Sequence, residues 1–155
     1  MLRTTKSSST GSAKGLRFGI VAARYNDELS DTLLANCALT ITAAGGKTVS
    51  VRVPGTFEVT AAAARMAKSG RYDCIVALGV VLQGETSHAH HICDAVANGL
   101  TTISIMTGVP TIFGIVTANT LRQAQVRCRS NNYNRGREAA HTAIEMARLW
   151  KTKTM

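Results

Sequence analysis

This sequence has no apolar stretch long enough to cross a membrane; none approaches the roughly 18 consecutive residues that a spanning helix needs. It has few acids, nine Asp and Glu against 18 Lys and Arg, for a net charge of +9. Aromatics are only 5% of its residues and there are two prolines. Its four cysteines (Cys37, Cys74, Cys93, Cys128) contain no C-x-x-C pair and lie inside apolar-periodic segments. That placement excludes a disulfide framework and reads as buried thiols in a reducing compartment, the cytoplasm. Nor do the first residues contain the apolar core of a secretory signal. Residues 1–14 are instead basic and rich in Ser and Thr, which reads as a disordered tail; the stump of an organellar transit peptide is the alternative.

The scarcity of aromatics bears on the charge. A basic chain gains affinity for nucleic acid by releasing counterions, but a single-strand surface also needs aromatics interleaved with the basic residues. None are interleaved here. The densest positive segment, Arg122, Arg127, Arg129, Arg135 and Arg137, spreads over two predicted helices, and a small phosphorylated ligand accounts for part of it equally well. The nucleic-acid reading is therefore the weaker one.

Against these absences, 45% of the residues are apolar, enough for one packed domain over residues 15–155. Short apolar runs at 16–23, 73–82 and 111–117 and the alternation of Val49, Val51 and Val53 read as strands, and the run DCIVALGVVL is nearly all apolar, as a strand covered on both faces must be. Helical spacing occupies the intervals. Asn26-Asp27-Glu28 supplies a cap and an acidic first turn, and Leu29, Leu33, Cys37 and Ile41 recur until Gly45-Gly46. Further helices are predicted at 61–67, from about 88 to 106, at 120–127 and at 137–150. Strands alternating with helices define an α/β fold: a three-layer α/β/α sandwich, flavodoxin-like, around a central four-stranded parallel sheet.

Ligands bind such sheets outside the carboxyl ends of the strands. Here those ends are Arg24-Tyr25-Asn26, Pro54-Gly55-Thr56-Phe57-Glu58, Gly84-Glu85-Thr86-Ser87-His88 and Thr117-Ala118-Asn119. They concentrate aromatic, amide, acidic and imidazole groups, which points to a site. The glycine turn at 84–88 leads from a strand into a helix, so free backbone N–H groups and the Thr86 hydroxyl suit an anion; plain helix capping is the alternative, and Glu85 counts against an anion unless its side chain turns away. His88, beside that turn, is placed for proton transfer. His88, His90, His91 and Cys93 invite a metal reading, but on a helix His88 and His91 share a face that His90 does not, which favours ordinary surface or core histidines over a metal site. Tyr25 is placed to stack on a flat heterocycle. Phe57 and Phe113 at such positions are equally ordinary core residues, Glu58 equally a helix cap, and Arg127 equally a solvated helix face.

The segments FGIVAARYND, VPGTFEV, ALGVVLQGETSH, PTIFGIVTANTLRQAQVR and NRGREAAHTAIEMA, in this order and spacing, together resemble the lumazine synthase family from Gly15 to Trp150. The resemblance implies condensation of 5-amino-6-(D-ribitylamino)uracil with 3,4-dihydroxy-2-butanone 4-phosphate, through an imine, loss of phosphate and closure of a second ring, with no metal and no organic cofactor. It implies that Tyr25, with Asn26 beside it, meets the uracil, and that Thr56, Phe57 and Glu58 hold the uracil and ribityl chain. Val80, Val81 and Leu82 would line the pyrimidine pocket. Glu85 and Thr86 would form the phosphate side, with Arg127 as cationic partner. His88 would transfer protons, Phe113 would come from a neighbouring subunit, and Arg135 would stand where a substrate-side lysine is common. It also implies a homo-oligomer built on pentamers.

The chain departs from the family pattern in places. Ala89 and His90 follow His88 where an aromatic and an acid are usual, Thr60 replaces a common proline, and Tyr25 replaces Phe or Trp. Ser130-Asn131-Asn132-Tyr133 replaces a Gly- and Lys-rich loop of shell-forming members. These changes leave open a family member that binds flavin-like or sugar-phosphate ligands with altered chemistry.

Overall fold

The computed structural model describes residues 11–152. Among the described residues nine elements follow one another: β1 (Arg17–Ala23), α1 (Asp27–Ala43), β2 (Lys47–Val53), α2 (Val59–Lys68), β3 (Cys74–Leu82), α3 (His88–Thr107), β4 (Thr111–Ala118), α4 (Leu121–Arg129) and α5 (Arg135–Lys151). The strands form one parallel sheet in the order β2-β1-β3-β4. That is the doubly wound order whose reversal point lies between β1 and β3.

Side-chain alternation divides the core into two halves, because successive residues of a strand point to opposite faces. Phe18, Ile20, Ala22, Cys74, Val76, Leu78, Val80, Ile112 and Val116 pack against α1, α4 and α5. Val21, Ala23, Ile75, Ala77, Val81 and Ile115 pack against α2 and α3. The α/β/α layering expected from the sequence is therefore present. The edge strands are less enclosed. In β2, Val53 is buried while Val49 and Val51 stay half open.

The element ends show where local signals held and where tertiary contacts prevailed. Gly45, at φ 92°, lets α1 close with Gly46 N–H donating to the Ile41 carbonyl, the left-handed C-cap that glycine favours. Asn26 does not cap α1 with its side chain. It sits at φ 58°, the only non-glycine positive φ among the described residues, and its Nδ2 donates instead to the Val80 carbonyl at 2.9 Å. At the amino end, Ala13 is fully buried and its N–H donates to the Ala44 carbonyl. Packing thus includes Ala13, two residues before Gly15; residues 1–10 of the basic segment lie outside the described residues.

The four cysteines are free thiols, three buried and one partly so. Burial pushes Cys37 up to about 12 and Cys128 up to about 11, which keeps both protonated and unreactive near neutral pH.

Helix α5 approaches α1 closely at Gly136, where an added Cβ would lie 2.3 Å from the Leu33 carbonyl oxygen. Backbone cannot rotate away as a side-chain tip can. Gly136→Ala gains about 1 kcal/mol of helix propensity but incurs an overpacking cost of about 1–3 kcal/mol or more. The clash should prevail, lowering the thermal midpoint by roughly 2–8 °C. A midpoint at or above wild type, in the same assembly state, would show that the two helices part at little cost.

Candidate active site

At the carboxyl ends of β1 and β2, on the α2/α3 side, lies a cleft of about 430 Å³ lined by Tyr25, Gly55, Thr56, Phe57, Glu58, His88, His91 and Ile92. Small-molecule sites run from about 300 to 1,000 Å³, so one ligand of that class fits.

Each wall has a local cause. β1 leads into Arg24 and Tyr25, whose N–H groups donate to the Val53 and Pro54 carbonyls at the end of β2. The Asn26 amide then reaches across the reversal point to Val80 of β3, so the turn bearing Tyr25 is held from both sides. Tyr25 is left 68% exposed, an aromatic face with no core to fill and free to stack on a flat ring.

The segment after β2 folds into a tight turn. Glu58 Oε2 accepts from the Gly55 N–H at 2.9 Å, and the Glu58 N–H returns a bond to the Gly55 carbonyl. Glu58 therefore closes this turn and does not cap α2 with its side chain. Its other carboxylate oxygen has no hydrogen bond among the described residues and remains an acceptor for a ligand. Thr56 is buried against Gly79, where an added Cβ would meet its hydroxyl at 2.5 Å. Phe57 is 56% exposed on the cleft wall, so it is not the core residue its sequence position equally allowed.

The third wall is the start of α3. Gln83 Nε2 donates to the carbonyls of Gly84 (3.1 Å) and Thr86 (2.9 Å) and so staples the turn that precedes the helix. Thr86 Oγ1 accepts a long bond from the His88 N–H at 3.4 Å, leaving the hydroxyl proton for an acceptor. Helix periodicity places His88 and His91 on the cleft while His90 turns to a second cavity, about 240 Å³, with Val81, Gln83, Ala89, Cys93, Thr117, Ala118, Asn119 and Gln123. The histidines thus divide between two sites. Ala89 belongs to the lining of the second cavity, and a larger side chain there would project into it.

Five sequence-selected residues meet in the cleft: Tyr25, Thr56, Phe57, Glu58 and His88. Val80 touches its frame through the Asn26 bond, and Val81 lines the second cavity. Leu82 is half-buried at the end of β3. Glu85 and Thr86 are exposed beside the cleft in the turn itself. Three residues lie elsewhere. Phe113, 42% exposed, faces a separate hollow with Ala97, Leu100, Thr101, Ser104, Ile105 and Thr111. It precedes the end of β4 by five residues, about 16 Å of strand. Arg127 is half-buried on α4, which packs on the α1/α5 face, and it forms no hydrogen bond or ion pair among the described residues. Arg135 is ion-paired with Glu138 at 2.7 Å.

The cleft also contains Gly55, His91 and Ile92, which sequence reasoning did not select. For His91 the signal was present: its spacing of three from His88 puts the two on neighbouring turns of one face.

A layered parallel α/β domain whose strand ends present stacking rings, a carboxylate acceptor and imidazoles is a small-molecule enzyme of the doubly wound class. A family model for 6,7-dimethyl-8-ribityllumazine synthase matches residues 15–151. The chain is 42% identical to the 6,7-dimethyl-8-ribityllumazine synthase of Desulfatibacillum aliphaticivorans over 143 residues, covering 90% of this chain and 92% of that protein. This chain belongs to the 6,7-dimethyl-8-ribityllumazine synthase family.

Proposed function

We propose that this protein is a transferase of riboflavin biosynthesis that condenses 5-amino-6-(D-ribitylamino)uracil with 3,4-dihydroxy-2-butanone 4-phosphate to give 6,7-dimethyl-8-ribityllumazine. The observation that carries this reading is the cleft: Tyr25, Phe57, Glu58 and His88 converge on it in a chain of that family. In this reading Tyr25 stacks on the uracil, and Thr56, Phe57 and Glu58 hold the uracil and ribityl groups. Val80, Val81 and Leu82 border the pyrimidine. The turn with Glu85 and Thr86 receives the phosphate, and His88 moves protons between amine, carbonyl and water.

The three remote residues favour a shared site in a homo-oligomer, and the family resemblance implies one built on pentamers. Phe113 lies on the flank of the edge strand β4, and Ile105 and Met106 nearby on α3 are 76% and 77% exposed. An apolar patch of this kind commonly marks a subunit contact. Across such a contact Phe113, Arg127 and Arg135 would serve a neighbour's cleft. The free thiols fit a reducing compartment, the cytoplasm.

Incubating the purified protein with both substrates should produce the absorbance of the lumazine chromophore. Absence of the chromophore from protein with an intact circular dichroism spectrum would overturn the reading.

A further inference from the structure

The reaction proposed above involves several proton transfers, and the cleft holds a second imidazole. His91 lines the same wall as His88. Its Nε2 lies 3.1 Å from the Ser87 hydroxyl, one helical turn earlier. That contact fixes the ring, while the other ring nitrogen has no hydrogen-bond partner among the described residues. Residues three apart on a helix lie about 5–6 Å apart at Cβ, close to the length of a four-carbon chain. The other ionisable groups on the cleft are Tyr25 and Glu58, and Asp94 follows His91 by three positions on α3. Glu58 already accepts the Gly55 N–H. The imidazoles are the pair suited to exchange protons near neutrality.

We propose that His91, held by Ser87, is a second catalytic residue that protonates the departing phosphate while His88 takes the carbon-bound proton. This rests on the function proposed above. In the imine, His88 removes the proton from C3 of the butanone chain, and that electron pair becomes the C3–C4 double bond. The C4–O bond breaks with its electrons going to phosphate, and the leaving oxygen takes a proton from the His91 imidazolium. The resulting enol then accepts the His88 proton at C4 and returns its O–H proton to His91. C3 is now a carbonyl, ready for ring closure, and both imidazoles are restored. No outside oxidant, reductant or metal enters this balance.

His91 is exposed at the helix surface, so its replacement leaves the core intact and added imidazole can reach the vacancy. His91→Ala should lower kcat about 100-fold, the low end for a positioned acid–base group, with KM for both substrates within threefold. Imidazole in the buffer should raise the rate of that variant at least threefold and leave wild type unchanged. His91→Gln can still bond Ser87 but has no titratable proton to deliver, and it should be as slow as the alanine variant. Turnover within threefold of wild type for His91→Ala, full activity of His91→Gln, or a loss that imidazole does not relieve would each overturn the proposal. Wild-type turnover is measured first: no chromophore there defeats the proposed function and this inference with it, whereas a productive wild type with an unaffected His91→Ala defeats this inference alone.

Discussion

Replacing His88 with alanine is expected to reduce kcat by about 10²–10⁴-fold, the usual contribution of a positioned acid–base group. The size of the effect follows from the location. His88 is the first residue of α3, after a turn that Gln83 holds through two carbonyls, so its backbone is fixed while its ring projects into the cleft. Imine formation removes a proton from the attacking amine and supplies one to the departing water. In a wall of Tyr25, Phe57 and Ile92, the imidazoles of His88 and His91 are the groups suited to exchange protons near neutral pH. The side chain is exposed and supports no core contact, so the variant should fold normally and bind both substrates with little change. Steady-state kinetics separates the alternatives: a fall in kcat with KM constant marks an interaction made only in the transition state. Turnover within threefold of wild type would remove His88 from the chemistry.

Arg127→Ala should weaken binding of the butanone phosphate by roughly 10- to 150-fold and leave uracil affinity nearly intact. A hydrogen bond to a charged group contributes about 1.5–3 kcal/mol, and that range sets the fold-change. Two facts single out this arginine within the basic segment. Arg129 is paired with Glu28 and Arg135 with Glu138, and Arg137 donates to the Asn131 carbonyl. Arg127 is half-buried with no partner among the described residues, and an unpaired, partly desolvated guanidinium is costly unless something anionic meets it. It lies on the face of the sheet opposite the cleft wall formed by α3. The phosphate it meets would therefore be held by an adjoining subunit, not by its own chain. Arg122→Ala, five residues earlier, is the control, and equal losses in the two variants would point to general electrostatics. Mixing His88→Ala with Arg127→Ala after dissociation and reassembly should regenerate some sites with both residues intact. No recovery of activity in well-mixed assemblies would rule out sharing between subunits.

The legible parts of this protein were those encoded by neighbours in sequence. The apolar runs of β1 and β3 marked those strands, because burial on both faces of a parallel sheet demands apolar residues at nearly every position, and alternation of Val49, Val51 and Val53 marked the edge strand β2. The pentads at the strand ends marked the candidate cleft, because they are contiguous and such sheets bind ligands there. Positions whose role depends on a distant partner were not legible. Asn26 looked like a cap for α1, yet its amide is used on Val80, 54 residues away. Glu58 looked like a cap for α2 but turns back to Gly55. Val49 and Val51 had strand spacing, but nothing local says that β2 lies at the sheet edge and leaves them half open.

Composition, hydrophobic period and turn residues were enough to determine the α/β class, the element order and the strand ends that border the candidate cleft, since each depends on interactions within a few residues. Tertiary structure alone decided which of those residues share a cavity. Sheet order brings Tyr25, Phe57 and His88 together and adds His91 beside them. It also sends Phe113, Arg127 and Arg135 to other surfaces of the same chain. The reason is geometric: strand order and helix rotation set distances between residues far apart in sequence, and local propensity contains no information about either.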